Sequence, residues 1–322
     1  MDEQQQQTPV SNEPVSAERQ LGPAFPMPMV VAFAVCLALL AGTLWYGVSS
    51  MSAPVAEDIR KTQTAAAAGV FEAVPLTAKA VIVYDAKEQA VLFEKNAQTQ
   101  LPLASLTKAM LALVAVETLL DDALIPITPE ALAAEGDTGF GPGEEWALQN
   151  LIDATLIPSS NDGAYALAIA SGNGSVPRTV SLMNKRAREL GLSNTYFLNP
   201  TGLDESASMA GAYGSAHDIA LLLSYLALTE PAVLDGTTRD GMLLTSENGI
   251  EHTAVNTNEA LGQIPGLIGG KTGYTDLAGG NLAVVFDAGL GHPIVVVVLG
   301  STQEGRFEDV RMLVRATRET LR

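Results

Sequence analysis

Residues 293–299, Pro-Ile-Val-Val-Val-Val-Leu, limit the possible folds of this chain more than any other segment. β-Branched residues favour a strand, and a strand without polar alternation must be covered on both faces. A second strand pattern lies just before it, at residues 281–286, and a hairpin pattern lies far upstream, at residues 80–84 and 90–94. We therefore predict one antiparallel sheet, built from the first hairpin and the late strands.

The segment between the hairpin and the late strands has helical periodicity instead. Helices are predicted after residue 105 and at residues 148–156, 164–170, 178–190, about 217–228 and 307–321. Together these patterns predict an α+β fold, in which the first and last helices lie on the sheet and a helical block lies beside it. A cleft is expected where the block meets the sheet.

The N-terminal part of the chain has a different composition. Residues 1–26 are rich in Gln, Glu and Pro and are predicted to be a disordered tail. Residues 27–49 contain an uncharged apolar run long enough to cross a bilayer and are predicted to be a single transmembrane helix. Residues 50–75 are interpreted as a linker, which leaves residues 76–322 as one large globular domain.

The flanks of the apolar run bear on cleavage and orientation. It ends near Trp45 and Tyr46, which suits a membrane interface, and only one basic residue, Arg19, precedes it. A signal peptide would have a basic start, so an uncleaved anchor is the preferred interpretation. Arg60 and Lys61 follow the run and favour a cytoplasmic domain, but this charge bias is too small to decide the orientation.

Composition excludes several classes of function. The formal net charge of −18 argues against a nucleic-acid partner, which would require a basic face. Cys36, the only cysteine, lies inside the apolar run, so we expect no thiol chemistry in the globular domain. The three histidines, His217, His252 and His292, are widely separated, and we expect neither a metal site nor another cofactor.

Ser105 and Lys108 lie three residues apart at the predicted start of a helix. Residues i and i+3 are neighbours on a helix surface, so the lysine amine can reach the serine hydroxyl. A neutral amine can accept the hydroxyl proton and activate the serine as a nucleophile. Free backbone N–H groups at the helix start can stabilise an oxyanion. The alternative is an N-cap serine with a solvated lysine, and the pair alone does not decide.

A second motif, Ser159-Ser160-Asn161, interrupts the predicted helices. Here Ser159 can relay a proton to a leaving amine, and Asn161 can hold a substrate amide. Ser-x-Asn also occurs at residues 171–173 and 246–248. Only the copy at residues 159–161 lies in a break between two helices, and it is therefore the preferred one.

A third motif, Lys271-Thr272-Gly273, opens a predicted strand. At a strand edge, Lys271 and Thr272 can bind a carboxylate, and Gly273 lets a substrate backbone approach closely. Burial of Lys108 would lower the pKa of its amine, and the positive charge of Lys271 nearby would lower it further. Ser-x-x-Lys, Ser-x-Asn and Lys-Thr-Gly in this order are the signature of penicillin-binding proteins and class A β-lactamases.

Longer matches surround the three motifs. They are Pro-Leu-Ala-Ser-Leu-Thr-Lys at 102–108, Leu-Ile-Pro-Ser-Ser-Asn-Asp at 156–162, Met-Asn-Lys at 183–185, Glu-Leu-Gly at 189–191, Phe-Leu-Asn-Pro-Thr-Gly-Leu at 197–203, Gly-Gly-Lys-Thr-Gly-Tyr-Thr at 269–275 and Gly-Arg-Phe at 305–307. With them the chain resembles the low-molecular-mass penicillin-binding proteins, the serine-type D-alanyl-D-alanine carboxypeptidases of peptidase family S11. Ser160 departs from the glycine common in that family.

The resemblance implies a penicillin-binding/β-lactamase-like fold and a catalytic domain over residues 76–322. It also implies an oxyanion hole formed by the backbone N–H groups of Ser105 and Tyr274, and a role for Arg306 in binding the substrate carboxylate. The expected partners are peptidoglycan stem peptides as substrate, β-lactams as covalent inhibitors and the membrane through the N-terminal helix. An extracytoplasmic catalytic domain follows from the family and overrides the weak charge bias.

The expected activity is therefore removal of the terminal D-alanine from stem peptides through an acyl-enzyme. Three alternatives remain open: a class A-like β-lactamase, a DD-endopeptidase, and an inactive anchored cell-wall-binding protein. A class A β-lactamase requires a glutamate that activates the deacylating water. The candidate Glu189 lies within a predicted helix rather than a loop.

Overall fold

The computed structural model describes residues 69–136 and 138–321, and twelve strands occur in this part of the chain. In chain order they are β1 (Ala80–Asp85), β2 (Ala90–Lys95), β3 (Leu101–Pro102), β4 (Leu124–Pro126), β5 (Glu145–Ala147), β6 (Tyr196–Phe197), β7 (Ala212–Gly214), β8 (Gly241–Thr245), β9 (Glu251–Val255), β10 (Leu267–Thr275), β11 (Gly279–Asp287) and β12 (Pro293–Ser301). The helices with defined bounds are α1 (Thr107–Thr118), α2 (Leu148–Leu156), α3 (Asn161–Ser171), α4 (Val176–Glu189), α5 (Ala216–Thr229), α6 (Ala232–Asp235) and α7 (Gly305–Thr320).

Five strands form the predicted antiparallel sheet, in the order β10-β11-β12-β1-β2. The central strand β12 is buried along its whole length. Because side chains alternate in direction along a strand, β12 contributes to two separate apolar clusters. Val295 and Val297 belong to one cluster, and Val296 and Val298 belong to the other. The prediction that both faces of this strand are covered is confirmed.

The placement of the first helix differs from the prediction. Helix α1 packs mainly against α3 and α4 in the helical block, and α5 occupies the face of the sheet where α1 was expected. The sequence of α5 is apolar on nearly all sides, so this helix can be buried between the sheet and the block. The other face is covered by α7, as predicted.

Strand β10 lies at one edge of the sheet, and this edge meets the helical block. Its middle part packs against the short 3₁₀ turn Ala104–Leu106, which leads into α1. Its first residues pack against α6 and the following turn Gly236–Thr238, where Thr237 Oγ1 accepts a hydrogen bond from the Gly270 N–H at 3.0 Å. The helical block therefore meets the sheet at β10 and the start of α1, the junction at which the cleft was predicted.

The predicted tail and transmembrane helix, residues 1–26 and 27–49, lie outside the described residues. The predicted linker, residues 50–75, is described only from residue 69, and there it contributes to the core. Phe71 is 1% exposed and stacks on Phe93 with the ring centroids 5.1 Å apart.

Among residues 69–136 and 138–321, no single helix has the length and apolarity needed to cross a membrane. By length and composition alone, one bent pair of helices, Ala216–Thr229 with Ala232–Thr238, meets the criterion.

Candidate active site

Ser105 lies in the 3₁₀ turn between β3 and α1, so the prediction that it stands at a helix start is confirmed. The preceding residue, Ala104, has a φ of 50°, in the left-handed region that residues with a side chain rarely adopt. The carbonyl of Ala104 accepts a hydrogen bond from Thr107 Oγ1 at 2.7 Å. This strained turn packs against the edge strand β10.

Lys108 is fully buried, and its amine contacts three oxygen atoms. Nζ lies 2.7 Å from Ser105 Oγ, 2.7 Å from Asn161 Oδ1 and 3.2 Å from the carbonyl oxygen of Thr201. Three acceptors match the three N–H groups of an ammonium ion. Burial lowers the pKa of Lys108 to about 7, so a neutral amine is accessible near neutral pH. A solvated lysine, the alternative from the sequence, is therefore excluded.

Ser159 and Lys271 form a second contact, in which Lys271 Nζ donates a hydrogen bond to Ser159 Oγ at 2.8 Å. Ser159 has a φ of 66°, so the second motif also contains a residue in the left-handed region. Lys271 is 3% exposed. Burial lowers the pKa of Lys271 well below its ordinary value, and the positive charges of Lys108 and Arg306 lower it further.

Burial and the mutual repulsion of Lys108 and Lys271 both bear on the pKa values of the two amines. Burial is the main cause of the lowered pKa of Lys108. The repulsion between the two amines lowers the pKa of Lys271 as well, and because this repulsion is mutual the two lysines titrate as a coupled pair. Since like charges in one cleft disfavour double protonation, we expect one lysine to be neutral when the other is charged.

Asn161 is the first residue of α3, three residues before the predicted start of this helix. The helix begins early because Ser160 caps it, accepting a hydrogen bond from the Gly163 N–H at 3.0 Å. Both ends of the Asn161 amide are bonded within the protein, Oδ1 to Lys108 and Nδ2 to the carbonyl of Glu135, each at 2.7 Å. In this structure Asn161 therefore holds the lysine, and contact with a substrate amide stays a prediction.

The third motif lies in β10. Thr272 Oγ1 is 2.6 Å from Thr257 Oγ1, a partner outside the three motifs. A Cβ atom on Gly273 would lie 3.1 Å from the backbone nitrogen of Ser105, a tight contact, because the strand meets the turn that carries Ser105 here. Tyr274 is 45% exposed and lines an open cleft of about 490 Å³.

Arg306 lies at the start of α7, behind β10. It is 7% exposed, and Nη1 donates a hydrogen bond to the carbonyl of Gly273 at 2.8 Å. Nε has no hydrogen-bond partner among the described residues. Burial lowers the pKa of the guanidinium, although the charges of Glu259 and Glu304 oppose this effect. Arg306 thus supports the third motif directly, and its contact with a substrate carboxylate stays a prediction.

Asn281 anchors the segment that leads into the 3₁₀ turn Ala104–Leu106, which carries Ser105. The sequence analysis did not predict this role. This residue of β11 is fully buried, and Nδ2 donates to the carbonyls of Pro102 and Leu103, each at 3.0 Å. Its Oδ1 accepts a hydrogen bond from the Gly300 N–H of β12 at 2.8 Å. An asparagine at the head of an apolar strand was the signal that could have identified it, because a buried amide requires partners.

The structure thus brings the three motifs together at one edge of the sheet. Lys108 Nζ donates a hydrogen bond to Ser105 Oγ, and a second lysine, Lys271, donates one to Ser159 Oγ. Within residues 69–136 and 138–321, no group of three or more His, Cys, Asp or Glu side chains is placed to hold a metal ion. A serine hydroxyl beside a buried amine is the arrangement expected of a serine enzyme whose nucleophile is activated by a neighbouring base.

The chain belongs to the D-alanyl-D-alanine carboxypeptidase family, peptidase S11, whose profile matches residues 62–303. It is 34% identical to D-alanyl-D-alanine carboxypeptidase DacF of Bacillus subtilis over 74% of this chain and 61% of that protein. It is 32% identical to DacB2 of Mycobacterium tuberculosis over 70% of this chain and 75% of that protein.

A solved structure has a similar fold. Penicillin-binding protein D2 of Listeria monocytogenes, in an ampicillin-bound form, superposes with a TM-score of 0.66 at 31% identity, covering 76% of this chain and 98% of that one. The predicted α+β fold of the penicillin-binding proteins is therefore confirmed for the described residues.

Proposed function

We propose that this protein is a membrane-anchored serine D-alanyl-D-alanine carboxypeptidase. It removes the terminal D-alanine of peptidoglycan stem peptides through an acyl-enzyme on Ser105, and β-lactams acylate the same serine. The observation that carries this proposal is the 2.7 Å contact between Ser105 Oγ and the buried amine of Lys108. The family of the chain and the ampicillin bound to the Listeria relative support it.

The reaction begins when Ser105 Oγ attacks the carbonyl carbon of the penultimate D-alanine. Neutral Lys108 takes the hydroxyl proton, and the backbone N–H groups of Ser105 and Tyr274 stabilise the oxyanion. Ser159, next to Lys271, relays to the nitrogen of the departing D-alanine the proton that Lys108 took, so the peptide bond breaks, Lys108 is neutral again and an ester to Ser105 remains. Water then hydrolyses this ester and regenerates the serine.

The substrate carboxylate is assigned to Lys271 and Thr272, with Arg306 as a third contributor. Lys271 gains a negative partner when substrate binds, which favours its charged form and leaves Lys108 neutral. The order of these groups along β10 sets the direction of the substrate. Its C-terminus lies at Lys271, and its scissile carbonyl lies between Ser105 and Tyr274.

A class A-like β-lactamase is less well supported. Glu189, the candidate for activating the deacylating water, lies at the C-terminal end of α4. It forms ion pairs with Lys185 and Arg186, each at 3.5 Å, and about half of its side chain is exposed. A glutamate engaged in this way is poorly suited to activate water at Ser105.

Anchoring and location are part of the proposal. The apolar run within residues 27–49 supplies a membrane span, and substrates of this family lie outside the cytoplasm. We therefore place the catalytic domain on the extracytoplasmic side of the cell membrane. Proteolysis of intact spheroplasts tests this, because an external protease should degrade the domain without lysis.

The activity is tested with the purified full-length chain, a labelled penicillin and a peptide ending in D-Ala-D-Ala. We expect covalent labelling and release of D-alanine, and both should be abolished in Ser105→Ala. The matched control is Ser181→Ala, which removes an exposed helix hydroxyl whose hydrogen bond is to the carbonyl of Pro177. Labelling that persists in Ser105→Ala would identify another nucleophile.

The same experiment separates the alternatives. Rapid hydrolysis of penicillin without D-alanine release would indicate a β-lactamase, and cleavage of cross-linked dimers alone would indicate an endopeptidase. A wild-type chain that folds but is not labelled would indicate an inactive cell-wall-binding protein.

A further inference from the structure

A tight turn at residues 199–205, here called the 199–205 turn, is organised by one buried asparagine. Asn199 Oδ1 accepts hydrogen bonds from Thr201 N at 3.2 Å, Thr201 Oγ1 at 3.1 Å and Gly202 N at 2.7 Å. Its Nδ2 donates to the carbonyl of Leu203 at 2.9 Å and to Glu205 Oε1 at 2.6 Å. With five partners, the amide of Asn199 determines the path of the backbone through the turn.

The turn contacts the catalytic base directly. The carbonyl oxygen of Thr201 accepts the third hydrogen bond of Lys108 Nζ, at 3.2 Å. Thr201 is 1% exposed, so water has little access to this carbonyl. The other two partners of the amine, Ser105 and Asn161, belong to the catalytic motifs. Since the backbone N–H and hydroxyl of Thr201 are both bonded to Asn199, the direction of its carbonyl depends on Asn199.

The turn also contacts the segment that carries the nucleophile. Gly202 has a φ of 79°, and a Cβ atom there would lie 1.9 Å from the carbonyl oxygen of Ala104. Ala104 is the strained residue immediately before Ser105. Backbone contact at this distance allows only glycine, so the turn supports the left-handed conformation of Ala104 from outside α1.

A third contact joins the turn to the edge strand. Asp204 Oδ1 accepts a hydrogen bond from Thr275 Oγ1 at 3.0 Å, and Oδ2 accepts one from the Leu277 N–H at 3.3 Å. Thr275 is the last residue of β10 and follows Tyr274 directly. One turn therefore contacts the base, the residue before the nucleophile and the end of the strand that carries the third motif.

We propose that the 199–205 turn is a positioning element of the active site and that Asn199 is a positioning residue for Lys108, acting through the carbonyl of Thr201. This inference rests on the proposed function, because it assigns Lys108 as the base that activates Ser105. Asn199 does not contact substrate. It fixes the amine that takes the proton.

The proposal is tested by the pH dependence of acylation by a labelled penicillin, measured for wild type and Asn199→Ala. Neutral Lys108 is the active form, so the acylation rate of the wild type should rise with pH through the pKa of Lys108. The ionisable group that interacts with the Lys108 amine is Lys271. In Asn199→Ala we expect the plateau rate to fall about tenfold, equivalent to about 1.36 kcal/mol in activation free energy. We also expect the midpoint to move to higher pH, because a loosened turn admits water to a buried amine.

The matched control is Asn184→Ala. Asn184 also supports the local backbone, since Oδ1 accepts from the Phe197 N–H at 2.9 Å and Nδ2 donates to the carbonyls of Phe197 at 2.8 Å and Val180 at 3.0 Å. None of these partners bonds to Lys108. We expect this variant to lose thermal stability but to keep the wild-type midpoint.

A second, milder variant covers the case in which Asn199→Ala fails to fold. Asn199→Ser keeps a hydroxyl oxygen that can accept from the Thr201 N–H but lacks the donor to Leu203 and Glu205, so we expect a smaller fall in the plateau rate and a smaller shift of the midpoint to higher pH. A midpoint equal to that of wild type in the folded variants would overturn the proposal. Failure of the wild type to be labelled at any pH would instead overturn the proposed function.

Discussion

Replacing Lys108 by methionine tests the burial of its amine through folding stability, without any substrate. The pKa of Lys108 is lowered from 10.5 to about 7 in the folded chain, whereas the unfolded chain keeps the ordinary value. Between these two pH values the unfolded chain binds a proton that the folded chain does not, so the free energy of unfolding rises with pH. One pKa unit corresponds to about 1.36 kcal/mol, and integration from pH 7 to pH 9 gives a rise of about 2 kcal/mol.

The methionine side chain has no titratable group, so this rise in the free energy of unfolding should be missing in Lys108→Met. Urea unfolding at 25 °C, followed by circular dichroism at pH 7, 8 and 9, measures the difference between wild type and variant. We expect that difference to increase by about 2 kcal/mol in favour of wild type across this range. The absolute stability of the variant does not enter, because only the change with pH is compared.

Lys185→Met is the matched control, since the side chain of Lys185 is 65% exposed and, among the residues that the structure describes, forms an ion pair with Glu189 alone, at 3.5 Å. Its difference from wild type should stay constant between pH 7 and pH 9. A constant difference for Lys108→Met as well would refute the reasoning, because it would mean that folding does not lower the pKa of the buried amine.

Two further predictions concern the edge strand and its support. Gly273→Ala should slow acylation by a labelled penicillin about tenfold to a hundredfold, because the added Cβ would lie 3.1 Å from Ser105 N. This effect is smaller than the loss of a complete oxyanion donor. An unchanged rate would show that this contact is not critical. Arg306→Ala should weaken hydrolysis of a peptide with a free C-terminal carboxylate about tenfold to a hundredfold, with little effect on the C-terminal amide. Equal loss on both peptides would assign Arg306 to support of Gly273 alone.

Patterns that depend on local sequence predicted the sheet and the motif positions well. The apolar run at residues 293–299 required two covered faces, and the structure covers them with α5 and α7. The Ser105–Lys108 contact followed from helical spacing, and the 2.7 Å distance agrees with it. In both cases the decisive information lies within a few neighbouring residues.

Contacts between distant segments were not predictable in the same way. No local pattern indicates that Thr201 would bond to Lys108 or that Asn281 would hold the carbonyls of Pro102 and Leu103. The misplacement of α1 has the same origin, since α1 and α5 both consist largely of apolar residues and only tertiary packing decides which one lies on the sheet. Asn161 and Lys108 are 53 positions apart in the chain, so their hydrogen bond could not be predicted from local sequence. The side chain of Asn161 was therefore predicted to bind the substrate amide instead.

The left-handed conformations of Ala104 and Ser159 limit how heat-resistant this enzyme can become. Each residue adopts a backbone conformation that costs about 1 kcal/mol or more for a side chain with a Cβ atom, so glycine at either position would relieve strain. Ala104→Gly leaves every catalytic side chain in place and relieves this strain, but it also removes a buried methyl group and loosens the backbone before the nucleophile. The equivalent change at Ser159 would remove the hydroxyl that contacts Lys271, so the two strained positions offer very different routes for laboratory evolution.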